Sequence, residues 1–283
     1  MVIAYLATLV SSMMWGLFSH GYASMINKLG VSRFNLYRCI IVFICFLISS
    51  IIIGQVLVSK QAILWLVLSG SLVYFLSDLI THHALAKSGP SRILILSAFV
   101  PSMVAIYSYF ILDKTLSIEK LLGLIFLLLC LFFLALEKKR YGSGSILIFI
   151  IAIFGLNIEA LGAVFIKKAF MMAPTMNPMT ANLYRVFPAI ILLLIYNYFR
   201  GIPVDIKGLS TKTKTTVFST VFFAGFIGFY LYLYAISHYD NPAVIAALAN
   251  TTPIFSSIYE HWKSKKIPNK YFIGSILSMI AGL

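Results

Sequence analysis

The tetrapeptide Asn35-Leu36-Tyr37-Arg38 recurs 147 residues later in the chain, as Asn182-Leu183-Tyr184-Arg185. Two prolines follow a similar scheme, because Pro90 and Pro101 have counterparts 152 residues further on, at Pro242 and Pro253. A matched tetrapeptide and two matched prolines indicate an internal duplication. The small difference between the offsets needs only a loop insertion. The sequence therefore predicts two copies of one unit, over residues 1–140 and 141–283.

The composition predicts a protein embedded in lipid. Of the 283 residues, 61% are hydrophobic and 11% are charged, whereas a soluble domain is about half apolar and about a quarter charged. The net charge of +14 is carried mostly in short gaps between apolar runs, as membrane topology requires. Nucleic acid is not expected as a partner, because the sequence contains no basic tail and no basic helix.

Ten apolar runs approach the ~20 residues that a helix needs to cross a membrane. Five helices per copy is an odd number, so the second copy must enter the membrane upside down. This pattern predicts an all-α integral membrane protein of ten transmembrane helices, built as two inverted five-helix repeats. The predicted runs are 2–25, 33–54, 61–86, 91–112, 117–136, 145–168, 178–199, 213–237, 241–262 and 270–283.

Inverted repeats are the architecture of secondary transporters, whose substrate site lies between the halves. A duplicated helical bundle without a transport role is the structural alternative. A membrane-embedded enzyme, a passive pore and a scaffold are further alternatives, but the chain has none of the common catalytic motifs. Neither a cofactor nor a metal site is expected, since Cys39, Cys45 and Cys130 lie in apolar runs without metal-ligand spacing.

Several motifs occur in a characteristic order along both halves. The first half has Trp15-Gly16, the segment 84–90 (ALAKSGP), Pro101, the segment 112–117 (LDKTLS) and Gly123. The second half has Asp240-Asn241-Pro242, Pro253 and Gly274. In this order and spacing, the whole chain resembles the EamA-type members of the drug/metabolite transporter superfamily.

That resemblance implies a ten-helix inverted fold, proton-linked or exchange transport and frequently export. It names no substrate, and uptake of a metabolite or cofactor is the alternative direction. The family pattern also has an acidic residue before the fifth and tenth helices. Asp113 fits the first position, but Ser264 or Lys265 stands at the second, and Glu260 comes several residues early.

Tyr74, Asp78 and His82 follow one another at four-residue intervals in the third apolar run, which places them on one helix face. Charge at this depth is costly, so each instance suggests function. Asp78 and His82 are therefore candidates for proton coupling, and Tyr74 for lining a substrate cavity. A polar pair that only joins helices is the structural alternative.

The 152-residue offset maps this face onto Phe226, Tyr230 and Tyr234 in the eighth run. The two faces should meet across a central cavity, one acidic and one phenolic, and favour a cationic or zwitterionic guest such as an amine or amino acid. Tyr230 and Tyr234 are thus further lining candidates. An aromatic belt at the membrane surface is the alternative.

Glu159 is the other deep acid, and it is a third candidate for proton coupling or for binding a substrate amine. Pairing with an arginine of a neighbouring helix is its alternative role. Arg38 and Arg185 either reach lipid phosphates or point inward toward a substrate carboxylate. The remaining cavity candidates are Trp15, Ser19, Asn157 and Asn250.

Pro101 and Pro253 each remove one backbone hydrogen bond, so both are expected to kink their helices. Irregular backbone in a membrane protein is tolerated where it lines a cavity, and Asn250 precedes Pro253 closely. The expected partners are thus a small polar molecule, the surrounding lipid and protons. The expected location is the inner membrane of the cell, with a monomer as a plausible oligomeric state.

Orientation is predicted by the positive charges of the connections. Fifteen Lys and Arg residues fall in the connections on the face where the first helix ends, and at most five on the other face. Because positive charge stays in the cytoplasm, this count predicts both termini outside, whereas the family resemblance implies termini inside.

We expect a reporter that works only in the cytoplasm to be inactive when fused to the C-terminus; an active fusion would favour the family arrangement.

Overall fold

Helices make up all the regular structure that the computed structural model describes. The described residues are 2–115, 118, 122, 125, 126, 129, 132, 133, 136, 145–205, 209–265 and 269–282. The helices are α1 (Val2–Leu29), α2 (Val31–Ile53), α3 (Lys60–Ser88), α4 (Pro90–Leu96), α5 (Phe99–Leu112), α6 (Ile146–Met172), α7 (Pro178–Phe199), α8 (Thr211–His238), α9 (Pro242–Ala249), α10 (Thr252–Ser264) and α11 (Lys270–Gly282).

Seven spans within the described residues are long and apolar enough to cross a membrane, with Arg92–Leu112 counted as one. The predicted all-helical membrane class is confirmed. The predicted number of ten is not reached by this measure. The run 117–136 lies mostly outside the described residues, the ninth is broken into the shorter α9 and α10, and the tenth, α11, has 13 residues.

The outer surface is apolar, as contact with lipid requires. Ile52, Phe110 and Phe199 expose between 73% and 79% of their surface. Several charged side chains are instead buried, among them Arg38, Arg185 and Lys167. This reversal of the usual pattern of soluble proteins agrees with a membrane-embedded chain.

The α2 and α7 helices, which carry the repeated tetrapeptide, pack side by side in opposite directions. At one end Ser32 donates a hydrogen bond to Asn197, and at the other Thr180 donates to Ser50 at 3.3 Å. Ser50 and Asn197 are separated by the same 147 residues as the tetrapeptides. The start of each helix therefore lies against the end of its counterpart.

The α3 and α8 helices contain matching irregularities, since a π-helical segment interrupts each of them, at Ser71–Ser77 and Val221–Gly228. Both helices bind the first helix of the opposite half through a serine hydroxyl. Ser77 of α3 donates to the carbonyl of Gly155 in α6, and Ser11 of α1 donates to the carbonyl of Gly228 in α8, each at 2.8 Å. The two halves are thus joined by contacts of the same kind between matching pairs of helices.

The closest backbone approach among the described glycines is between α3 and α7. A Cβ atom added to Gly70 would lie 1.8 Å from the carbonyl oxygen of Arg185. No side chain fits there, because the obstructing atom belongs to backbone. Gly70 therefore allows the halves to pack where the buried arginines lie.

We expect Gly70→Ala to destabilise the protein by more than about 2 kcal/mol, because overpacking against backbone cannot be relieved by a rotamer change. The measurement is thermal unfolding of the purified protein in detergent. Gly274→Ala is the matched control, since its Cβ would meet only the movable ring of Phe133, at 3.1 Å. Equal losses of stability in both variants would contradict the close approach.

Candidate functional site

A cavity of about 170 Å³ lies between the two halves. Its wall includes residues from α1, α2, α3, α4 and α5 of the first half and from α6, α8, α9 and α10 of the second. Many of the lining side chains are polar, at a depth where polar groups are costly. They are Trp15, Ser19, Tyr22, Arg38, Asp78, Thr81, His82, Ser97, Glu159, Tyr232, Asn250 and Thr252.

An ion pair occupies the wall formed by the first half. The guanidinium of Arg38 donates a hydrogen bond to Asp78, and His82 Nε2 lies 3.7 Å from the other oxygen of the same carboxylate. The side chain of Arg38 is only 4% exposed, so it points inward and does not reach the lipid headgroups. Asp78 thus has its charge balanced within the protein.

Tyr74 lies behind this ion pair, between the two arginines of the repeated tetrapeptides. Its ring centroid is 5.2 Å from the guanidinium carbon of Arg38 and 5.1 Å from that of Arg185. Its hydroxyl donates to Asn182 Oδ1 at 2.9 Å, and Arg185 donates to the same oxygen at 2.9 Å. Tyr74 and Arg185 are therefore buried at the junction between the halves and do not line the cavity.

Glu159 lines the cavity from the second half, on α6. Among the described residues it has no Lys, Arg or His within ion-pair distance, unlike Asp78. Asn157 is not in the cavity wall, and its side-chain oxygen accepts a hydrogen bond from Tyr107 at 2.6 Å. Of the polar residues predicted on this helix, only Glu159 reaches the cavity.

An aromatic wall completes the cavity on the side of α8, but its members differ from those predicted. Trp15 packs against Phe229 and Tyr232, with ring centroids 5.1 and 5.3 Å apart, and all three line the cavity. Tyr230 and Tyr234 lie on another face of α8, where their rings are 6.3 Å from each other. The predicted pair of opposed faces is thus formed by other residues.

The difference comes from the connection between α8 and α9, which is two residues longer than that between α3 and α4, as the register of the two π-helical segments also indicates. They begin 150 residues apart, at Ser71 and Val221, whereas the predicted offset of 152 came from the prolines. An offset of 150 maps His82 onto Tyr232, which does line the cavity. Aligning the third and eighth runs separately identifies this residue from the sequence. The aromatic character of the second wall agrees with the prediction, although the residues that form it differ.

The helix breaks that precede Pro101 and Pro253 meet at the cavity. The α4–α5 break is at Ser97–Ala98, and the α9–α10 break is at Asn250–Thr251. Ser97 donates a hydrogen bond to Asn250 Oδ1 at 2.6 Å, and both residues line the cavity. Residues of the two broken helices therefore contact each other directly at the junction of the halves.

The carbonyls that these prolines leave without a helical partner are satisfied locally. Pro253 cannot donate to Ala249, and that carbonyl instead accepts hydrogen bonds from Ser12 at 3.0 Å and Thr252 at 2.6 Å. In the first half, the Ser97 carbonyl accepts from the amide of Val100 at 2.8 Å. Irregular backbone beside a cavity and satisfied by polar side chains is typical of transporter helices.

These features define a class of membrane protein, with two matching helical halves, broken helices between them and a polar cavity at their junction. The model of the EamA-like transporter family matches the chain twice, over residues 2–136 and 142–283. The chain belongs to this family, and so to the drug/metabolite transporter superfamily. It is therefore a multi-pass membrane transporter in its general function.

A solved structure described as a crystal structure of a protein has the same fold, with a TM-score of 0.72 and 12% sequence identity. The match covers 99% of this chain and 95% of the other. No curated protein matches the sequence. Within the described residues, no three His, Cys, Asp or Glu side chains are grouped so that they could hold a metal ion.

We expect Tyr74→Phe to lower the stability of the protein by about 1 kcal/mol, because it removes a buried hydrogen bond to Asn182 while keeping the ring between the arginines. Tyr198→Phe is the control, since that side chain is 82% exposed. Thermal unfolding in detergent measures both. A Tyr74→Phe protein as stable as the control would show that the hydroxyl does not join the halves.

Proposed function

We propose that this chain is a secondary transporter that moves a small polar metabolite, such as an amino acid or amine, by alternating access between two inverted repeats. The proposed repeats are residues 1–140 and 141–283, each with five transmembrane helices. The proposed location is the inner membrane. Support comes from the polar cavity at the junction of the halves, since transporters with inverted repeats bind their substrates there.

The proposal for proton coupling rests on a difference between the two acidic residues of the cavity, because only one of them is paired with an arginine. Asp78 bonds to Arg38 and lies near His82, so taking up a proton there would leave a buried arginine without its partner. Breaking a buried ion pair in this way costs about 3–5 kcal/mol. Glu159 faces the same cavity without such a partner among the described residues, so it can exchange a proton or bind an ammonium group without that loss.

We therefore assign proton coupling to Glu159 and a fixed structural charge to the Arg38–Asp78–His82 group. The aromatic rings of Trp15 and Tyr232 line the same cavity and suit the apolar or cationic part of a substrate. Export or exchange is the proposed direction, and it rests on the family resemblance. Metabolite uptake by the same cavity would use the same residues in the reverse sense.

Reconstitution of the purified protein in liposomes tests this assignment. We expect one compound of a panel of amino acids, amines and nucleotides to drive proton movement, reported by a trapped pH-sensitive dye. Glu159→Gln should abolish the substrate-driven proton movement because the side chain can no longer carry a proton. If Glu159 carries only the proton, exchange of labelled for unlabelled substrate should persist in this variant; if it also binds the substrate amine, that exchange should weaken too.

Glu260→Gln is the matched control, because Glu260 is exposed on α10 and its loss should leave proton movement unchanged. Asp78→Asn is expected to be poorly folded, as it leaves Arg38 buried without a counter-charge. If a well-folded Asp78→Asn loses proton movement and Glu159→Gln keeps it, the coupling residue is Asp78. If no compound drives protons or exchanges, the proposed function is wrong.

A further inference from the structure

The cavity extends unevenly between the two faces of the membrane. On the face where α1 ends, its wall reaches Leu85 and Ile93, which lie within one turn of the end of α3 and of the beginning of α4. Toward the face where α1 begins, the lining includes Tyr232 of α8. The side chain of Tyr232 packs against a second group of buried residues that lies beyond it.

That group, here called the sealing cluster, is separate from the main core. It contains residues of both halves, from the beginnings of α1, α3, α7 and α9 and from the ends of α6 and α8. Its side chains are apolar, so they close the space between the halves to water and polar solutes. Its members are Ala4, Ala62, Leu66, Ile166, Ala169, Phe170, Met176, Ala181, Leu233, Ala235, Ile236 and Ile245.

Polar contacts hold the end of α8 at the sealing cluster. Tyr5 of α1 donates a hydrogen bond to the hydroxyl of Tyr239 at 2.8 Å, and their ring centroids are 5.4 Å apart. Lys167 of α6 donates to the carbonyls of Ile236 and Tyr239, at 3.0 and 2.6 Å. The last turn of α8 and Tyr239, which follows it, are thus bonded to both α1 and α6.

Lys167 depends on this arrangement because it is only 5% exposed and has no carboxylate within ion-pair distance among the described residues. A buried ammonium is costly unless hydrogen-bonded. The carbonyls at the end of a helix suit it, since the negative end of the helix dipole lies there. Any movement that separates α8 from α6 must therefore release Lys167 from both carbonyls.

The matching positions on the opposite face are different. By the repeat offsets, 147 for α1 and α6 and 150 for α3 and α8, Tyr5 corresponds to Ala152, Lys167 to His20 and Tyr239 to Gly89. Neither Ala152 nor Gly89 has a hydroxyl. In the described part of the chain, the paired tyrosines and capping lysine therefore occur on one face of the duplicated fold and not on the other.

We infer that Tyr5, Lys167 and Tyr239 form the gate that closes the transport cavity on the face where α1 begins. This inference rests on the proposed alternating access. The sealing cluster excludes water, while the three polar residues hold α1, α6 and the end of α8 together in the closed state. Opening requires the Tyr5–Tyr239 hydrogen bond and both bonds of Lys167 to break.

Sided labelling of a single cysteine tests the gate without a known substrate. Ser19→Cys, in the cavity wall, is placed in a chain from which the three native cysteines have been removed. A membrane-impermeant thiol reagent is then applied to either face of oriented vesicles. We expect labelling mainly from the face where α1 ends. Tyr5→Phe together with Lys167→Met should raise labelling from the other face about tenfold. Losing a hydrogen bond to a charged group would increase the population of the state open to that face by about this factor.

Lys168→Met is the matched control, because the adjacent Lys168 also donates to a helix-end carbonyl, that of Ile111 at 3.2 Å, without contacting Tyr239. It should leave sided labelling unchanged. An equal rise in this control, or no rise in the double variant, would overturn the gate. If the double variant does not fold, Tyr5→Phe alone is tested. It should raise labelling from the face where α1 begins by a smaller factor, and unchanged labelling would overturn the gate.

The labelling result is independent of the transport result. A gate variant that changes sided labelling in a protein with no substrate-driven proton movement supports the gate and removes the proposed coupling. Unchanged labelling in a protein that does drive protons removes the gate alone.

Discussion

Two arginines buried between the halves constrain the rest of this structure. Each comes from a copy of the same tetrapeptide, and both guanidinium groups lie close to the ring of Tyr74. Lipid offers them no hydrogen-bond partner, so both depend on partners within the protein. Arg38 is balanced by Asp78 and Arg185 by the oxygen of Asn182 and the hydroxyl of Ser69. The packing of α2, α3 and α7 follows from these contacts, and Gly70 permits their close approach.

The duplication produced matching backbones that carry different chemistry. The π-helical segments, the broken helices and the α2–α7 pair are repeated in both halves. The side chains facing the cavity are not, since Asp78 and His82 of α3 face an aromatic wall from α8. The same is true of the face where α1 begins, where Lys167 corresponds to His20. In the proposed alternating access, the symmetric backbone would let the halves exchange conformations, and the unequal side chains would distinguish the two faces of the membrane.

Part of the site could be predicted because charge in a membrane is costly wherever it occurs. The sequence indicates Asp78, His82 and Glu159 on this ground, and Asp78 and His82 also by their four-residue spacing; all three line the cavity. Tyr230 and Tyr234 were also proposed, but Tyr232 and Phe229 take that place. One offset cannot serve every helix pair, because the connections differ in length between the halves, and a shift of two residues moves a side chain to another helix face. Tyr74 was expected in the cavity wall and is instead buried behind Arg38.

The amino-acid sequence by itself determined the membrane class, the duplication and the depth of the acids, because these depend on composition and spacing along one chain. Whether Arg38 points to lipid or inward, and which acid it pairs with, depends on helices that lie far apart in sequence. Only the tertiary structure decided that Asp78 pairs with Arg38, whereas Glu159 has no such partner among the described residues. It alone also brought Tyr5, Lys167 and Tyr239 together, since contacts across 72 and 234 residues arise from packing and leave no periodic pattern in the chain.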